Sequence, residues 1–321
     1  MIKLDLKDRK ILYELDGNSR QSFHKIAKKV GLSKDSVIYR VKRLQREGII
    51  KQFHTLINVG KLGTISFRLY LKLQNTTPEK EQEIIEFLKE QRVVNWLVSI
   101  DGEYNLGIWA LTKSIKKMND LWKELLEKYM DYIDKRWLTI FTKVSYFPRA
   151  YLLEKEKNLD EYTFVTEQDE IKLDKTDLKI LKLIAPNSRI SVLEIAKQLN
   201  ITPKTASSRI KQLEKKKVIV GYRTMFDLEK LGYQYFKVHF NLHNLTTEKE
   251  KQLRAFIKHH PNIIYDNEVL GGDDIEIEVQ VKTLIDLRNL LSEIKEQFAG
   301  IIKDYKYIMF YKEHKYLFFP G

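Results

Sequence analysis

The 321-residue sequence contains no cysteine. That excludes disulfides, thiolate nucleophiles and Cys-ligated zinc. It has no run of about 18 apolar residues, so no membrane-spanning helix is expected. The opening, MIKLDLKDRK, is charged and leads straight into helical pattern. It lacks the apolar centre of a signal peptide, and a cytoplasmic location is expected. No Gly-rich phosphate loop and no nucleophile–base spacing occurs. The histidines offer no metal spacing. His239 and His243 lie in a strand pattern, where a spacing of four does not bring them together as it would on a helix. His259–His260 ends a helix and reads as a carbonyl cap. The expectation is a non-enzyme without cofactor or metal.

Apolar residues make up 43%, enough for several cores, and the length suits two to four domains. The net charge is +13. It is not spread evenly. Residues 1–60 hold 14 Lys/Arg against 6 Asp/Glu, and residues 170–230 hold 14 against 7. Residues 61–153 are closer to balance, with 15 against 12. Two basic blocks on a near-neutral body point to a polyanion partner.

The chain is written twice. At an offset of 169, LDLKDRKIL at Leu4 falls on LDKTDLKIL at Leu173, and the NSR at Asn18 falls on the NSR at Asn187. Leu62–Gly63 falls on Leu231–Gly232, Gly102 on Gly271 and Leu121 on Leu290. The expected organisation is domains at 1–60, 61–152, 171–229 and 230–321, with the acidic, aperiodic stretch 153–170 as linker.

The front of each copy reads as three helices. Leu4, Ile11, Leu12 and Leu15 mark the first; Phe23, Ile26, Ala27 and Val30 mark the second. Gly31, and Asn200 in the second copy, suit a left-handed turn between helices two and three. Ser33 caps the third helix, and Thr202 followed by Pro203 opens its counterpart. Val37, Val41 and Leu44 face inward, as do Ala206, Ile210 and Leu213. The outward set is then Lys34, Asp35, Ser36, Ile38, Tyr39, Arg40 and Arg43, against Lys204, Thr205, Ser207, Ser208, Arg209 and Lys211. Two helices joined tightly, the second offering a basic, hydroxyl-bearing face, follow helix-turn-helix logic. Such a helix fits the major groove, where Ser, Thr and Tyr reach base edges and Arg reaches phosphate or guanine. Arg20 and Arg189 are candidate phosphate contacts at the domain edge. For Arg40 and Arg209 the competing reading is a salt bridge to a nearby acid. The β-rich runs EGIIKQF and KKVIVGYRTMF would form wings. Lys217 replaces the helix-ending Gly48, which predicts a different entry angle for the second wing.

The back of each copy reads βαββαβ, with both helices on one face of an antiparallel sheet. The other face carries Trp109, Trp137 and Phe141 and needs cover. A sheet-on-sheet sandwich between the copies supplies it. The fold class is therefore α+β: two tandem copies of a winged helix-turn-helix plus a ferredoxin-like βαββαβ domain.

The set Leu4–Asp5, Ile11–Leu12, Asn18–Ser19–Arg20, Ile26–Ala27, Gly31–Leu32–Ser33, Val37, Arg40–Val41, Leu44 and Gly48–Ile49–Ile50 resembles the Lrp/AsnC family of leucine-responsive and asparagine regulators. GEYNL at Gly102 is similar to that family's Gly-Asp-Tyr-Asp-Leu turn. The resemblance implies a transcriptional regulator that binds double-stranded DNA as a dimer or higher homo-oligomer. It also implies an amino-acid effector held at regulatory-domain interfaces. Its turn residues here would be Gly102, Tyr104 and Asn105, and in the second copy Gly271, Asp273 and Asp274. The chain departs from the family in being a tandem fusion, so that one chain imitates a dimer. It also has GGDDI in the second turn and Asn105 in the first. Because the outward residues differ between copies, two unlike operator half-sites are expected. Two rivals remain at this point: a sirohaem decarboxylase of the same architecture, and a chromatin-type protein without sequence choice.

Overall fold

The computed structural model describes residues 4–154, 161–166, 170–317 and 319. The first three helices are α1 (Leu6–Gly17), α2 (Phe23–Val30) and α3 (Lys34–Arg46), followed by β1 (Ile50–Ile57). The first regulatory domain is β2 (Ile65–Leu73), α4 (Pro78–Glu90), β3 (Val94–Asp101), β4 (Leu106–Thr112), α5 (Ile115–Tyr129) and β5 (Ile133–Tyr146). A short strand, β6 (Tyr162–Val165), lies within the stretch read as linker. It pairs with the end of β5, and the Tyr162 hydroxyl donates to the Gly17 carbonyl, so this part of the connection is tied down.

The second copy repeats the order: α6 (Lys175–Ile184), α7 (Val192–Leu199), α8 (Pro203–Lys215) and β7 (Ile219–Phe226). A single-turn α9 (Leu228–Leu231) leads to β8 (Gln234–Leu242), α10 (Thr247–His259), β9 (Ile263–Leu270), β10 (Ile275–Val281), α11 (Leu284–Gln297) and β11 (Ile302–Tyr316).

The local chemistry matches the pattern. Gly31 and Asn200 both adopt positive φ, and Ser33 and Thr202 accept from the backbone N–H groups of Ser36 and Thr205. The inward faces of α3 and α8 are buried as expected. Lys217 takes the same left-handed conformation as Gly48, with φ 56° against 74°. The expected change of entry angle does not occur: the lysine accepts the backbone cost and keeps the turn. The strand after each third helix finds its partner in the other copy. β1 pairs antiparallel with β7, and His54 lies opposite Arg223, its own counterpart at offset 169. The Ser19 and Ser188 hydroxyls, also 169 apart, meet at 2.6 Å. A residue touching its own equivalent lies on a two-fold axis, so a pseudo-dyad runs through both pairs.

Each regulatory domain has the ferredoxin-like order β3-β4-β2-β5 or β9-β10-β8-β11. Strands β5 and β9 join the two sheets along one seam and β11 and β3 along the other, which closes eight strands into a ring. Helices cover the outside: Ile84 and Leu88 of α4 share a core with Phe67 and Leu69 of β2 in one copy, and Leu253 and Ile257 of α10 with Phe236 and Val238 of β8 in the other. Trp109, Trp137 and Phe141 point inside, among Tyr70, Trp96, Tyr104, Ile308 and Phe310. The second copy does cover the first, but with a face that is only partly apolar. It contributes buried Lys237, His239, Glu276 and Glu278. Closure also leaves β3, β5, β9 and β11 paired at both seams rather than as free sheet edges.

The pseudo-dyad is broken where the helix-turn-helix pair meets the ring. Asp16, fully buried, accepts from Arg149 and Arg223, whose guanidinium groups lie 2.5 and 2.7 Å from it. At offset 169 the counterparts of Asp16 and Arg223 are Ala185 and His54. Burial, then the charges of Arg223 and Arg149, holds the His54 imidazole down at about 3. Its folded value is below the unfolded one, so the unfolded chain takes up the proton first. Stability is therefore complete above about pH 6.5 and falls as pH drops towards 3, by about 1.4 kcal/mol per pH unit from this group. Urea unfolding between pH 7 and 5 should show a shallower pH dependence in His54→Gln than in the wild-type chain.

Candidate nucleic-acid interface

The third helices carry two kinds of cation. Arg40 and Arg43 fold back onto α1. Asp5 and Asp8 form a capping box at its start. Arg40 Nη1 reaches Asp5 at 2.7 Å and Asp8 at 2.8 Å, and Arg43 Nη2 reaches Asp8 at 2.6 Å. Copy two builds the same clasp, with Arg209 Nη1 2.6 Å from Asp174 and 2.9 Å from Asp177. The Asp5 and Asp8 bonds hold the Arg40 guanidinium above its ordinary range, and Asp174 and Asp177 do so for Arg209. For Arg40, Arg43 and Arg209 the structure shows the competing salt-bridge partners: their donors fix the third helix on the first through acids at the cap of α1 and of its counterpart.

Arg20 and Arg189 also have partners within the protein. Each crosses the pseudo-dyad. Arg20 donates to the carbonyls of Ser188 and Ile190, and Arg189 to those of Ser19 and Gln21. Arg189 also stacks over Phe23, 4.0 Å from the ring centre. Burial and the nearby Arg20 charge lower its guanidinium to about 10. These residues lock the two helix-turn-helix units together and so fix the separation of α3 and α8.

What α3 leaves exposed is Lys34, Asp35, Tyr39, Lys42, Gln45 and Arg46. On α8 it is Pro203, Lys204, Ser208, Lys211, Gln212 and Lys215. Positions 35, 39, 42 and 46 form one stripe at spacings of four, three and four, and 204, 208, 211 and 215 repeat it at offset 169. Tyr39 is 66% exposed. Of the candidates read from the sequence, Lys34, Tyr39, Lys204 and Ser208 lie in the open. Ser36, Thr205 and Ser207 are half-buried, and the first two face the capping hydroxyls of Ser33 and Thr202. Sequence reasoning missed the stripe's own cations Lys42, Arg46 and Lys215, and placed Lys211 outward without giving it a role. The signal was present: they continue the face of Tyr39 and Ser208 for two further turns, away from the acids of α1. Arg40→Ala and Arg209→Ala should therefore loosen the helix-turn-helix more than they weaken DNA contact. Backbone amide exchange in α1 and α3, rising at unchanged salt dependence of binding, checks this.

The turns compared with the family's effector segment sit at the ring seams. Gly102 has φ 133° and packs against Ile308 of β11. Gly271 has φ 80°, and its carbonyl accepts from Trp137 at 2.8 Å. Several candidates have internal tasks. Tyr104 is buried against Tyr70, the Asn105 amide oxygen accepts from the Leu73 N–H, and Asp274 accepts from the Leu242 N–H. Asp273 turns into the ring, towards His239.

Two helix-turn-helix units held at fixed separation, each presenting a cationic stripe, define a DNA-binding protein of dimeric design. The model for winged helix-turn-helix DNA-binding domains matches at residues 4–51 and again at 173–220. The chain is 39% identical over 128 residues to the HTH-type transcriptional regulator Ptr1 of Methanocaldococcus jannaschii, an alignment spanning 39% of this chain and 81% of that protein. It is 38% identical over 109 residues to the HTH-type transcriptional regulator LrpA of Pyrococcus horikoshii, spanning 33% of this chain and 76% of that one. The chain belongs to the Lrp/AsnC family of helix-turn-helix transcriptional regulators, in a tandem double-repeat form. It is a DNA-binding transcriptional regulator. The fold extends beyond regulators: the siroheme decarboxylase NirDL superposes over 97% of this chain and 93% of its own, with a TM-score of 0.65 and 14% identity.

Proposed function

We propose that one chain occupies one operator of two unlike half-sites, reading the first with Lys34, Tyr39, Lys42 and Arg46 and the second with Lys204, Ser208, Lys211 and Lys215. The observation that carries this is the repeat of one exposed stripe on α3 and α8 with different residues in it. Tyr39 opposite Ser208, and Asp35 opposite Lys204, offer different groups to base edges. The side-chain locks across the pseudo-dyad hold both helices at one spacing, so half-site separation follows from the protein's geometry. Selection from random duplexes tests the reading. The expected product is an asymmetric site with two halves about one helical turn or a multiple apart; a strict palindrome counts against it, and the absence of any enriched sequence favours the chromatin-type rival.

The chain acts on this reading without catalysis and in the cytoplasm, where the DNA is. The ring closes its own sheet edges, so a single chain serves as the regulatory unit; the expected light-scattering mass is that of one chain, 38.2 kDa. An amino-acid effector would act at the seam turns, because each touches the last strand of the other copy. A panel of amino acids in the duplex-binding assay tests that: the expected result is a shift in affinity with at least one. The tetrapyrrole reading is favoured by the superposition with NirDL. Against it, the space between the sheets is filled by Tyr70, Trp96, Tyr104, Trp137 and Phe310, which a macrocycle would have to displace. Added sirohaem should produce no Soret shift.

A further inference from the structure

The interior of the ring is asymmetric in a chemically specific way. On β8 and β10 of the second copy, and on the turn before β10, three ligand-type atoms converge: His239 Nδ1, Asp273 Oδ2 and Glu276 Oε1. The imidazole lies 3.1 Å from Asp273 Oδ2 and 3.6 Å from Glu276 Oε1, and all three atoms fall within 4.8 Å of one another. Ligands about 2.0–2.2 Å from a common centre have such mutual separations. None of the three side chains is more than 8% exposed.

Four further observations bear on what belongs there. The three atoms converge without completing hydrogen bonds among the described residues. The Tyr70 hydroxyl, from the facing sheet, is also buried without a hydrogen-bond partner among them, and its ring stands edge-on to His239 at 5.9 Å. Glu276 is oriented by its other oxygen: Oε2 lies 2.6 Å from Lys237 Nζ, which leaves Oε1 turned towards His239. Gly272 keeps that oxygen's surroundings open, because a Cβ there would come within 2.7 Å of Glu276 Oε1.

We propose that His239, Asp273 and Glu276 form a site for one first-row divalent cation of the zinc or manganese kind. One imidazole and two carboxylates suit these ions. Lys237 with Arg68 balances Glu276 with Glu278, which leaves Asp273 facing Lys306. Lys306 is 39% exposed and 3.5 Å from Asp273, so it retracts to solvent when a cation replaces it. The counterparts at offset 169 are Tyr70, Tyr104 and Gly107, none of which repeats the set. The stoichiometry is therefore one ion per chain, not two. The role of the ion rests on the regulator reading: bound at the turn that meets β5, it stiffens one seam of the ring beneath the helix-turn-helix pair.

The test uses the full chain after dialysis against a chelator, titrated with Co2+ as a visible probe and then with Zn2+. One equivalent of Co2+ should produce d–d absorption, and Zn2+ should displace it. Outer residues around metal sites change affinity by roughly 10–100-fold, so removing a ligand should cost at least about a hundredfold. Glu276→Gln keeps the shape of the buried side chain, and Asp273→Asn lies on a turn and reads independently if the first variant does not fold. His259→Ala with His260→Ala controls for adventitious surface binding. No absorption, two equivalents per chain, or a band that survives both carboxamide variants overturns the site. Operator binding by the metal-free chain is measured separately, so loss of the site and loss of the regulator reading are distinguishable.

Discussion

Asp16→Ala is expected to destabilise the chain by about 3–5 kcal/mol, the cost of removing one partner from a buried ion network. The expectation follows from what Asp16 holds. One carboxylate on α1 accepts the Arg149 backbone N–H at 2.8 Å, the Arg149 guanidinium and the Arg223 guanidinium. Arg223 is fully buried, and its guanidinium lies 3.8 Å from the centre of the Tyr146 ring. Without Asp16 these two guanidinium groups share a low-dielectric site with no ion-pair partner among the described residues. The other side of the pseudo-dyad shows an uncharged solution to the same junction, with Ala185 where Asp16 stands and His54 where Arg223 stands. Adding Arg223→His to Asp16→Ala should therefore recover part of the loss, since it removes the stranded charge. Urea unfolding of the two single variants and the double variant measures the coupling. Additive effects would show that the network contributes nothing as a unit. Because Asp16 joins α1 to β7 and to the segment after β5, the variant should also release the first helix-turn-helix before the ring melts.

Much of this architecture was legible in the residues because each element states its own period. The repeat, the capped third helices and the βαββαβ order all rest on local spacing, and local spacing is what a sequence displays. The inner faces of α3 and α8 were read for the same reason. Three things were not legible. Pairing of β1 with β7, and closure of two sheets into a ring, are contacts between segments far apart in the chain, and no local pattern encodes them. The direction of a long side chain was the second. Arg40 looked outward by helical angle, yet a guanidinium spans enough distance to turn back to Asp5 and Asp8. The cue was in the sequence, since Asp5 and Asp8 recur with Arg40 as Asp174 and Asp177 do with Arg209. The third was the cluster of His239, Asp273 and Glu276. Alternation along β8 and β10 places His239 and Glu276 on one face, but only strand register sets them side by side: His239 lies opposite Glu276 in the β8–β10 ladder.

Replacing Lys42 and Arg46 together with Ala should weaken duplex binding by roughly tenfold per residue, about 1.4 kcal/mol each, with little change in stability. Both side chains are on the solvent face of α3, and neither has an acid partner among the ion pairs of the described residues. A phosphate that no cation neutralises keeps its condensed counterions, so log K against log salt should flatten by about 0.9 per residue, close to 1.8 for the pair. Lys211→Ala with Lys215→Ala should do the same through the second half-site. Tyr39→Ala and Ser208→Ala belong to a different class. On the proposed reading they remove groups that meet base edges, so they should change which sequence is preferred in one half-site by about 1–3 kcal/mol at an unchanged salt slope. Binding isotherms at several salt concentrations, on the selected operator and on a scrambled duplex, separate the two classes. Arg40→Ala supplies the contrast, since its guanidinium is held by Asp5 and Asp8. A salt slope that stays at the wild-type value in the Lys42/Arg46 variant but falls in Arg40→Ala would mean that the clasp opens on DNA and that the arginines, rather than the exposed stripe, meet the phosphates.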